Sequence, residues 1–162
     1  MEKNSGPQAG GGEDVRTVSA GISLGVLDDY IGFHLRLAQN ASFKAFKRHT
    51  KDNKLRPGWF AVLSLIGNNP GISPMALSRA SGRDKSTITP VLRDLFSAGL
   101  IRREPVPADK RSYALFLTET GETRLSYLAA CAADHDKELD GIVGEGKREL
   151  LEILRRIVTA LE

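Results

Sequence analysis

The sequence predicts a mainly helical chain with one small two-stranded β-ribbon, an α+β fold class. Three observations lead to this prediction. Apolar residues recur at spacings of three and four over six separate stretches, which is the helical period. Only after Gly99 does the pattern change to two short strands around a polar tip. The apolar runs are also shorter than the roughly 18 residues of a membrane span, so no membrane partner is expected.

The N-terminal part divides into a tail and one long helix. Residues 1–22 are rich in glycine and polar residues, so we expect a flexible tail. From Leu24 to about Lys51 the pattern is helical, and its first half is apolar over a wider arc than one packed face requires. Such a helix is expected to lie in a subunit interface. The second half turns basic, which suits the C-terminal end of a helix dipole.

Three short helices are expected next. Pro57 suits the first position of the second helix. Ser73 and Pro74 suit the cap and first position of a third helix, which ends at Ala80. After a Ser-Gly turn, a fourth helix is predicted from about Asp84 to Ala98.

A ribbon and two further helices complete the chain. The strands are expected at Leu100 to Val106 and Tyr113 to Leu117, with residues 107–111 as the tip between them. Because an isolated ribbon is only marginally stable in water, it must lean on the helices or on a partner. Thr118 is expected to cap a long helix that Gly141 and Gly144 break, and an amphipathic helix follows.

The third and fourth helices, with their glycine turn, have the pattern of a helix-turn-helix. The outward face of the fourth helix combines hydroxyl groups with cations, which can bond base edges and phosphates in a major groove. The alternative is a solvated helix start. Segment 54–117 carries ten Lys and Arg against four Asp and Glu, the charge expected of a nucleic-acid surface. The candidate DNA-binding residues on this helix are Lys85, Ser86, Thr87, Thr89 and Arg93.

The ribbon adds further cations, and its tip has the character of a wing. An arginine on a narrow tip can enter a minor groove, where the negative potential is enhanced. Asp109 does not suit a phosphate contact, so we expect it to hold Arg111 or Arg103 in a bidentate pair. An ordinary polar hairpin tip is the alternative. The candidate DNA-binding residues of the ribbon are Arg103, Lys110 and Arg111.

Taken together, these segments resemble the MarR family of winged helix-turn-helix regulators. The motifs that carry the resemblance are PGWFAVL (57–63), NPGIS (69–73), DKSTITPVL (84–92), GLIRR (99–103), DKR (109–111) and LTETG (117–121). The resemblance implies an intertwined homodimer that binds double-stranded DNA at a near-palindromic operator. Residues 23–53 and 118–162 would dimerise, and residues 54–117 would form the DNA-binding domain. It also implies that Arg111 reaches the minor groove.

Most members of this family couple DNA release to a small ligand, so a small aromatic effector is expected. An aromatic wall with a few polar groups suits an aromatic acid. The stretch from Leu35 to Gln39, followed by cations, is similar to members that respond to aromatic acyl-CoA thioesters. The competing interpretations are that the aromatic residues are core, that His34 is a satisfied core histidine, and that the cations cap a helix or contact DNA. The candidate ligand residues are Tyr30, Phe33, His34, Arg36, Lys44, Trp59 and Phe60.

Other functional classes have weaker support. The sequence shows no nucleophile–base motif, phosphate loop or dinucleotide fingerprint, so we expect neither an enzyme nor a bound cofactor. The three histidines are far apart in sequence, so no metal cluster is expected. Cys131 is the single cysteine, which indicates the cytoplasm, and among alanines it is expected to be buried and inert rather than a redox sensor. A winged-helix module for protein assembly remains the alternative to a DNA-binding repressor.

Overall fold

The computed structural model describes residues 22–52, 54–106 and 109–161, and for residues 109–111 it describes the backbone alone. The predicted tail, residues 1–22, therefore lies outside the described residues except for Ile22. The chain divides into two compact units, one ending at Ala38 and one beginning at Gln39. In order, the elements are a 3₁₀ helix Gly25–Asp29, α1 Ile31–Thr50, α2 Trp59–Asn68, α3 Pro74–Ala80, α4 Lys85–Ser97, β1 Ile101–Val106, β2 Asp109–Leu117, α5 Glu119–Val143, a 3₁₀ turn Gly144–Gly146 and α6 Lys147–Leu161.

The predicted fold class is confirmed: a helical chain with one small antiparallel sheet, arranged as a winged helix-turn-helix. The core of the second unit lies between α2, α3, α4, the sheet and α5. At least one apolar residue from each of α2, α3, α4, β2 and α5 is fully enclosed there, so the core fixes α4 against these elements. The side chains that are 0 % exposed are Val62, Leu63, Ile66, Leu77, Leu95, Leu115 and Leu128.

The two helices of the helix-turn-helix begin at side-chain caps; the cap at Ser73 was predicted, and the cap at Asp84 was not. The Ser73 hydroxyl accepts the backbone N–H of Ala76 at 3.2 Å, and Pro74 occupies the first turn. An Asp84 carboxylate oxygen accepts the N–H of Thr87 at 2.7 Å and so begins α4. These bonds satisfy donors that the first turn of a helix otherwise leaves free.

The ribbon packs against the helices of the second unit through one inward-facing residue. Leu115 is fully buried, and its N–H donates to the carbonyl oxygen of Ile72 at 3.0 Å. Its own carbonyl accepts the N–H of Gly71 at 2.8 Å. The segment before α3 therefore acts as a short third strand, which explains how a two-stranded ribbon is stable here.

The predicted start of β2 was wrong by four residues. β2 begins at Asp109 rather than Tyr113, because β2 takes up extra residues where the register shifts: Pro105 pairs with Tyr113, but Val106 pairs with Asp109. Residues 109–111, which the sequence placed in the tip, have strand backbone instead. A bulge adds a residue to one strand and breaks the simple period from which strand ends are predicted.

Three predicted helix boundaries also require correction. α1 begins at Ile31 rather than Leu24, because Gly25 has φ +56° and residues 25–29 form a separate 3₁₀ helix. Pro57 lies in a turn before α2 instead of opening it; the N–H of Trp59 donates to the carbonyl of Arg56, and Gly58 has φ +89°. This is the conformation that a type II turn requires of its third residue. α5 continues through Gly141 and ends at Val143, with Gly144 as its C-cap.

Polar contacts join α1 to α5 within the second unit. The Tyr127 hydroxyl donates to the Thr50 carbonyl oxygen at 2.7 Å. Just after α1, Asp52 forms an ion pair with Arg124. Burial raises the pKa of Asp52, but hydrogen bonds from the Lys54 N–H and the charge of Arg124 outweigh it, so the pKa lies below its ordinary value.

The last helix exposes its apolar residues. No residue of α6 is buried within the single chain. A contiguous apolar face of this kind is typical of a surface that a partner covers. Among the described residues, no helix combines the length and apolar character needed to cross a membrane. The exposed large apolar residues of α6 are Leu150, Leu151, Ile153, Val158 and Leu161.

Candidate nucleic-acid interface and effector site

The two faces of α4 differ sharply in their exposure to solvent. Ile88, Leu92 and Leu95 are at most 4 % exposed and attach the helix to the core. The opposite face is exposed to solvent. Since the buried face fixes the position of the helix, the exposed face projects as a rigid unit. All five side chains predicted to contact DNA from this helix lie on it: Lys85, Ser86, Thr87, Thr89 and Arg93.

Local hydrogen bonds orient two hydroxyl groups on this face. The Ser86 hydroxyl donates to an Asp84 carboxylate oxygen at 2.7 Å, and the Thr89 hydroxyl donates to the Lys85 carbonyl oxygen at 2.7 Å. Each hydroxyl has used its single hydrogen, so its oxygen presents lone pairs outward. Such oxygens suit the amino groups that adenine and cytosine offer in the major groove.

Hydrogen bonds also stabilise the negative charge of Asp84 at the start of α4. The Ser86 hydroxyl, followed by the N–H of Thr87, holds the pKa of Asp84 at about 2, below its ordinary value of 3.8. The carboxylate is therefore ionised at neutral pH, and it faces the positive end of the helix dipole.

Aromatic rings on β2 hold two arginines of the wing. The Arg102 guanidinium lies 4.6 Å from the centre of the Phe116 ring and also pairs with Glu104. The Arg103 guanidinium lies 5.6 Å from the centre of the Tyr113 ring. Stacking on a ring restricts a long side chain without neutralising its charge. Lys110 and Arg111 belong to β2, and the predicted pairing of Asp109 falls on side chains outside the described set.

In the first unit, three predicted effector residues line one open hollow. Tyr30, Phe33 and Arg36 lie on its wall, and the Arg36 guanidinium stands 5.6 Å from the centre of the Phe33 ring. His34 is not part of the wall. The interpretation of His34 as a core histidine was wrong, because its side chain is exposed within the chain and its Nε2 lies 2.6 Å from the Asp28 carbonyl oxygen.

The remaining predicted effector residues belong to the second unit. Trp59 is 9 % exposed, and its indole N–H is buried with no hydrogen-bond partner among the described residues. Phe60 is half-buried beside Phe46, with ring centres 5.7 Å apart, and Lys44 is exposed. Phe46 was not among the predicted residues. It follows Ser42 by four residues and precedes His49 by three, so Ser42, Phe46 and His49 lie on one face of α1.

Two further sequence expectations are corrected here. The histidines were expected to stay apart, but α1 and α5 bring His49 and His135 together beside Glu138. A hydrogen bond from His49 lowers the pKa of Glu138 below its ordinary value. Cys131 was expected to be buried, yet within this chain it is only half-buried, with Sγ 3.7 Å from the His49 carbonyl oxygen.

Comparisons with known proteins identify relatives over nearly the whole chain. A putative transcriptional regulatory protein for the hcr operon of Thauera aromatica is 32 % identical over 148 residues, which cover 90 % of this chain and 89 % of that protein. The structure of the transcriptional repressor CouR bound to a 23-mer DNA duplex has 29 % identity and a TM-score of 0.74, with 85 % of this chain and 98 % of that chain covered. CouR bound to p-coumaroyl-CoA has 27 % identity and a TM-score of 0.75, with 85 % and 97 % covered.

The sequence pattern of the MarR family matches residues 55–113, the part that contains α2 to the start of β2. The relatives named above are transcriptional regulators rather than enzymes. The long match to the Thauera aromatica regulator extends the similarity beyond the DNA-binding lobe to both sets of flanking helices. This chain therefore belongs to the MarR family of transcriptional regulators.

Proposed function

We propose that this regulator is a homodimeric repressor that binds a near-palindromic operator and controls genes for the catabolism of aromatic compounds. An aromatic acid or its CoA thioester would release it. The observation that carries the proposal is the exposed polar face of α4, which the core holds rigidly from behind. Because its target would be genomic DNA, we infer that it works in the cytoplasm.

The DNA-contacting role follows from the two basic elements of residues 54–117. Lys85, Thr87 and Arg93 would face the major groove, with the lone pairs of Ser86 and Thr89 available to base amino groups. Arg103, which stacks on Tyr113, would contact the phosphate backbone of the DNA beside the groove. Lys110 and Arg111 would enter or flank the minor groove, with Asp109 supporting Arg111. The structure of CouR bound to a 23-mer DNA duplex supports a DNA-binding role.

The dimer follows from the exposed apolar residues of the flanking helices. Residues 23–53 and 118–162 would supply the interface, since α6 and the start of α1 both expose large apolar side chains. A two-fold axis between them would place the two α4 helices in successive major grooves, roughly 34 Å apart. The operator would then be nearly palindromic because the protein is symmetric.

Each of the two units supplies its own candidate effector residues. Tyr30, Phe33 and Arg36 line a hollow, and Trp59 offers a buried N–H without a partner. Such a donor suits a carbonyl or carboxylate oxygen of a ligand. His34, Lys44 and Phe60 complete the proposed set. The structure of CouR with p-coumaroyl-CoA supports this ligand class. Release requires that the ligand bind the DNA-free form more tightly than the DNA-bound form.

The test is fluorescence anisotropy with the DNA upstream of this protein's own gene. We expect tight binding that one ligand among p-coumaric acid, p-coumaroyl-CoA and free CoA reverses. Release by the thioester alone would identify an aromatic acyl-CoA as the effector class. Release by the acid alone would identify the free aromatic acid as the effector class. Binding that none of these or related aromatic thioesters reverses would overturn the effector proposal and leave the repressor. No specific binding would favour the assembly module.

A further inference from the structure

We propose that His49, His135 and Glu138 form a binding site for a divalent transition-metal ion, with Zn²⁺ as the metal that these ligands suit best. Two imidazoles and one carboxylate are a common ligand set for this ion. His49 lies near the end of α1 and the other two residues lie on α5, so the ion would link two helices. The proposal is independent of the DNA and effector sites.

The ligand atoms are already close together. Nε2 of His49 is 3.0 Å from Oε2 of Glu138, and Nδ1 of His135 is 3.7 Å from the same oxygen. All three ligand atoms lie within 4.8 Å of one another. Ligands about 2.0–2.1 Å from a tetrahedral Zn²⁺ are separated from each other by about 3.3 Å. Small side-chain rotations would therefore let the three atoms share one ion.

The buried histidine provides an independent observation. His135 is 7 % exposed, and its Nδ1 is buried with no hydrogen-bond partner among the described residues. Its other nitrogen, Nε2, lies 2.9 Å from the Ser42 hydroxyl oxygen. When Nε2–H donates to Ser42, Nδ1 carries a lone pair that faces the Glu138 carboxylate. A metal ion between these two acceptors would satisfy both.

The contact with Ser42 also resembles the support that bound metals require. A histidine that ligates a metal almost always donates its second ring N–H to an oxygen, which fixes the tautomer and the orientation of the ring. The ring of His135 is further held by Phe46, with centres 6.0 Å apart. His49 and Glu138 are more open to solvent, so an ion could enter and keep water as its fourth ligand.

The site is tested with tag-free, metal-free, full-length protein titrated with Co²⁺ and then Zn²⁺. We expect one Co²⁺ per chain, visible absorption typical of tetrahedral coordination, and its loss when Zn²⁺ displaces Co²⁺. Zn²⁺ should also raise the Tm, since an ion that binds only the folded state stabilises it. Absence of Co²⁺ absorption together with an unchanged Tm would overturn the proposal, and the DNA-binding function would be unaffected.

Variants locate the ion. His49→Gln and Glu138→Gln alter exposed residues and should fold, and each should weaken Zn²⁺ binding at least tenfold. Glu149→Gln removes a carboxylate from α6 and should leave binding unchanged, and Cys131→Ser should do the same. Ser42→Ala should weaken binding about 10–100-fold, as loss of a group that supports a metal ligand does. Zn²⁺ binding that survives both His49→Gln and Glu138→Gln would place the ion elsewhere and contradict the proposal.

Discussion

The backbone carbonyl of Leu100 lies directly against the α-carbon of Gly121, where a Cβ would stand. The same carbonyl accepts the N–H of Thr118 at 3.1 Å, and the Thr118 hydroxyl donates to the Gly99 carbonyl at 2.6 Å. The start of the wing and the start of α5 are thus bonded to each other. This junction connects the DNA-binding lobe to the helix that leads into the proposed dimer interface.

Gly121→Ala is expected to destabilise the protein by about 1–3 kcal/mol, because the new methyl group overlaps backbone that cannot rotate away. Chemical denaturation at fixed protein concentration measures the effect. Gly141→Ala is the matched control: Gly141 lies in the same helix, and a Cβ there meets open space. It should be neutral or stabilise by up to about 1 kcal/mol. Equal effects of the two substitutions would contradict the tight junction.

The charge at the start of α4 should depend on Ser86. Because the fold lowers the pKa of Asp84 to about 2, its ionised form contributes stability above about pH 4. That contribution is lost as the pH falls through about 2. Ser86→Ala removes the leading hydrogen bond, so the pKa of Asp84 should rise toward 3.8. NMR titration of the Asp84 carboxyl from pH 5 downward measures it. Thr89→Ala, whose hydroxyl bonds Lys85 instead, should leave the titration unchanged.

Val158→Lys should dissociate the dimer, because it places a charge on the apolar face of α6. Sedimentation velocity at micromolar concentration measures the change. Thr159→Lys introduces the same side chain on the polar side of α6, four residues after Arg155 and seven after Glu152, and should remain dimeric. If both variants sediment as dimers, the interface does not lie on this face.

Arg93→Ala should weaken operator binding. If Arg93 contacts a phosphate, the slope of log affinity against log salt concentration should also fall by about one. A loss confined to particular operator bases would assign it to a base edge instead. Lys137→Ala is the control, since Lys137 pairs with Asp134 on α5 and lies far from α4 in sequence. Unchanged affinity in Arg93→Ala at all salt concentrations would exclude this residue from the interface.

Arg111→Ala should weaken operator binding by about 1–3 kcal/mol, as loss of an inserted groove contact does. Asp109→Ala should have a smaller effect in the same direction, because it would free Arg111 without removing it. Competition binding at constant salt compares the two. An operator affinity that neither substitution alters would contradict the assignment of the wing.

Sequence patterns predicted the elements whose causes are local. Ser73 and Thr118 cap their helices as expected because a cap depends on residues only three positions apart. The apolar period likewise placed Ile88 and Leu92 inward and left the cationic face of α4 outward.

Features that depend on distant residues were missed. His49 and Glu138 are 89 positions apart and meet only because α1 packs on α5. The early start of β2 depends on how it pairs with β1, and the need for glycine at position 121 depends on the carbonyl of Leu100. Gly58 belongs to the PGWFAVL motif, but the sequence did not predict its positive φ or the turn that it forms with Pro57 before α2.

The most direct test of the central claim is the salt dependence of binding to DNA from upstream of this protein's own gene, compared with a shuffled duplex of equal length. A dimeric repressor should bind the native duplex at least 10³-fold more tightly, roughly the lower limit for specific sites. Its affinity for both duplexes should fall steeply as salt rises, because phosphate contacts release counterions. Equal, weak binding to both duplexes, or affinity insensitive to salt, would contradict the account.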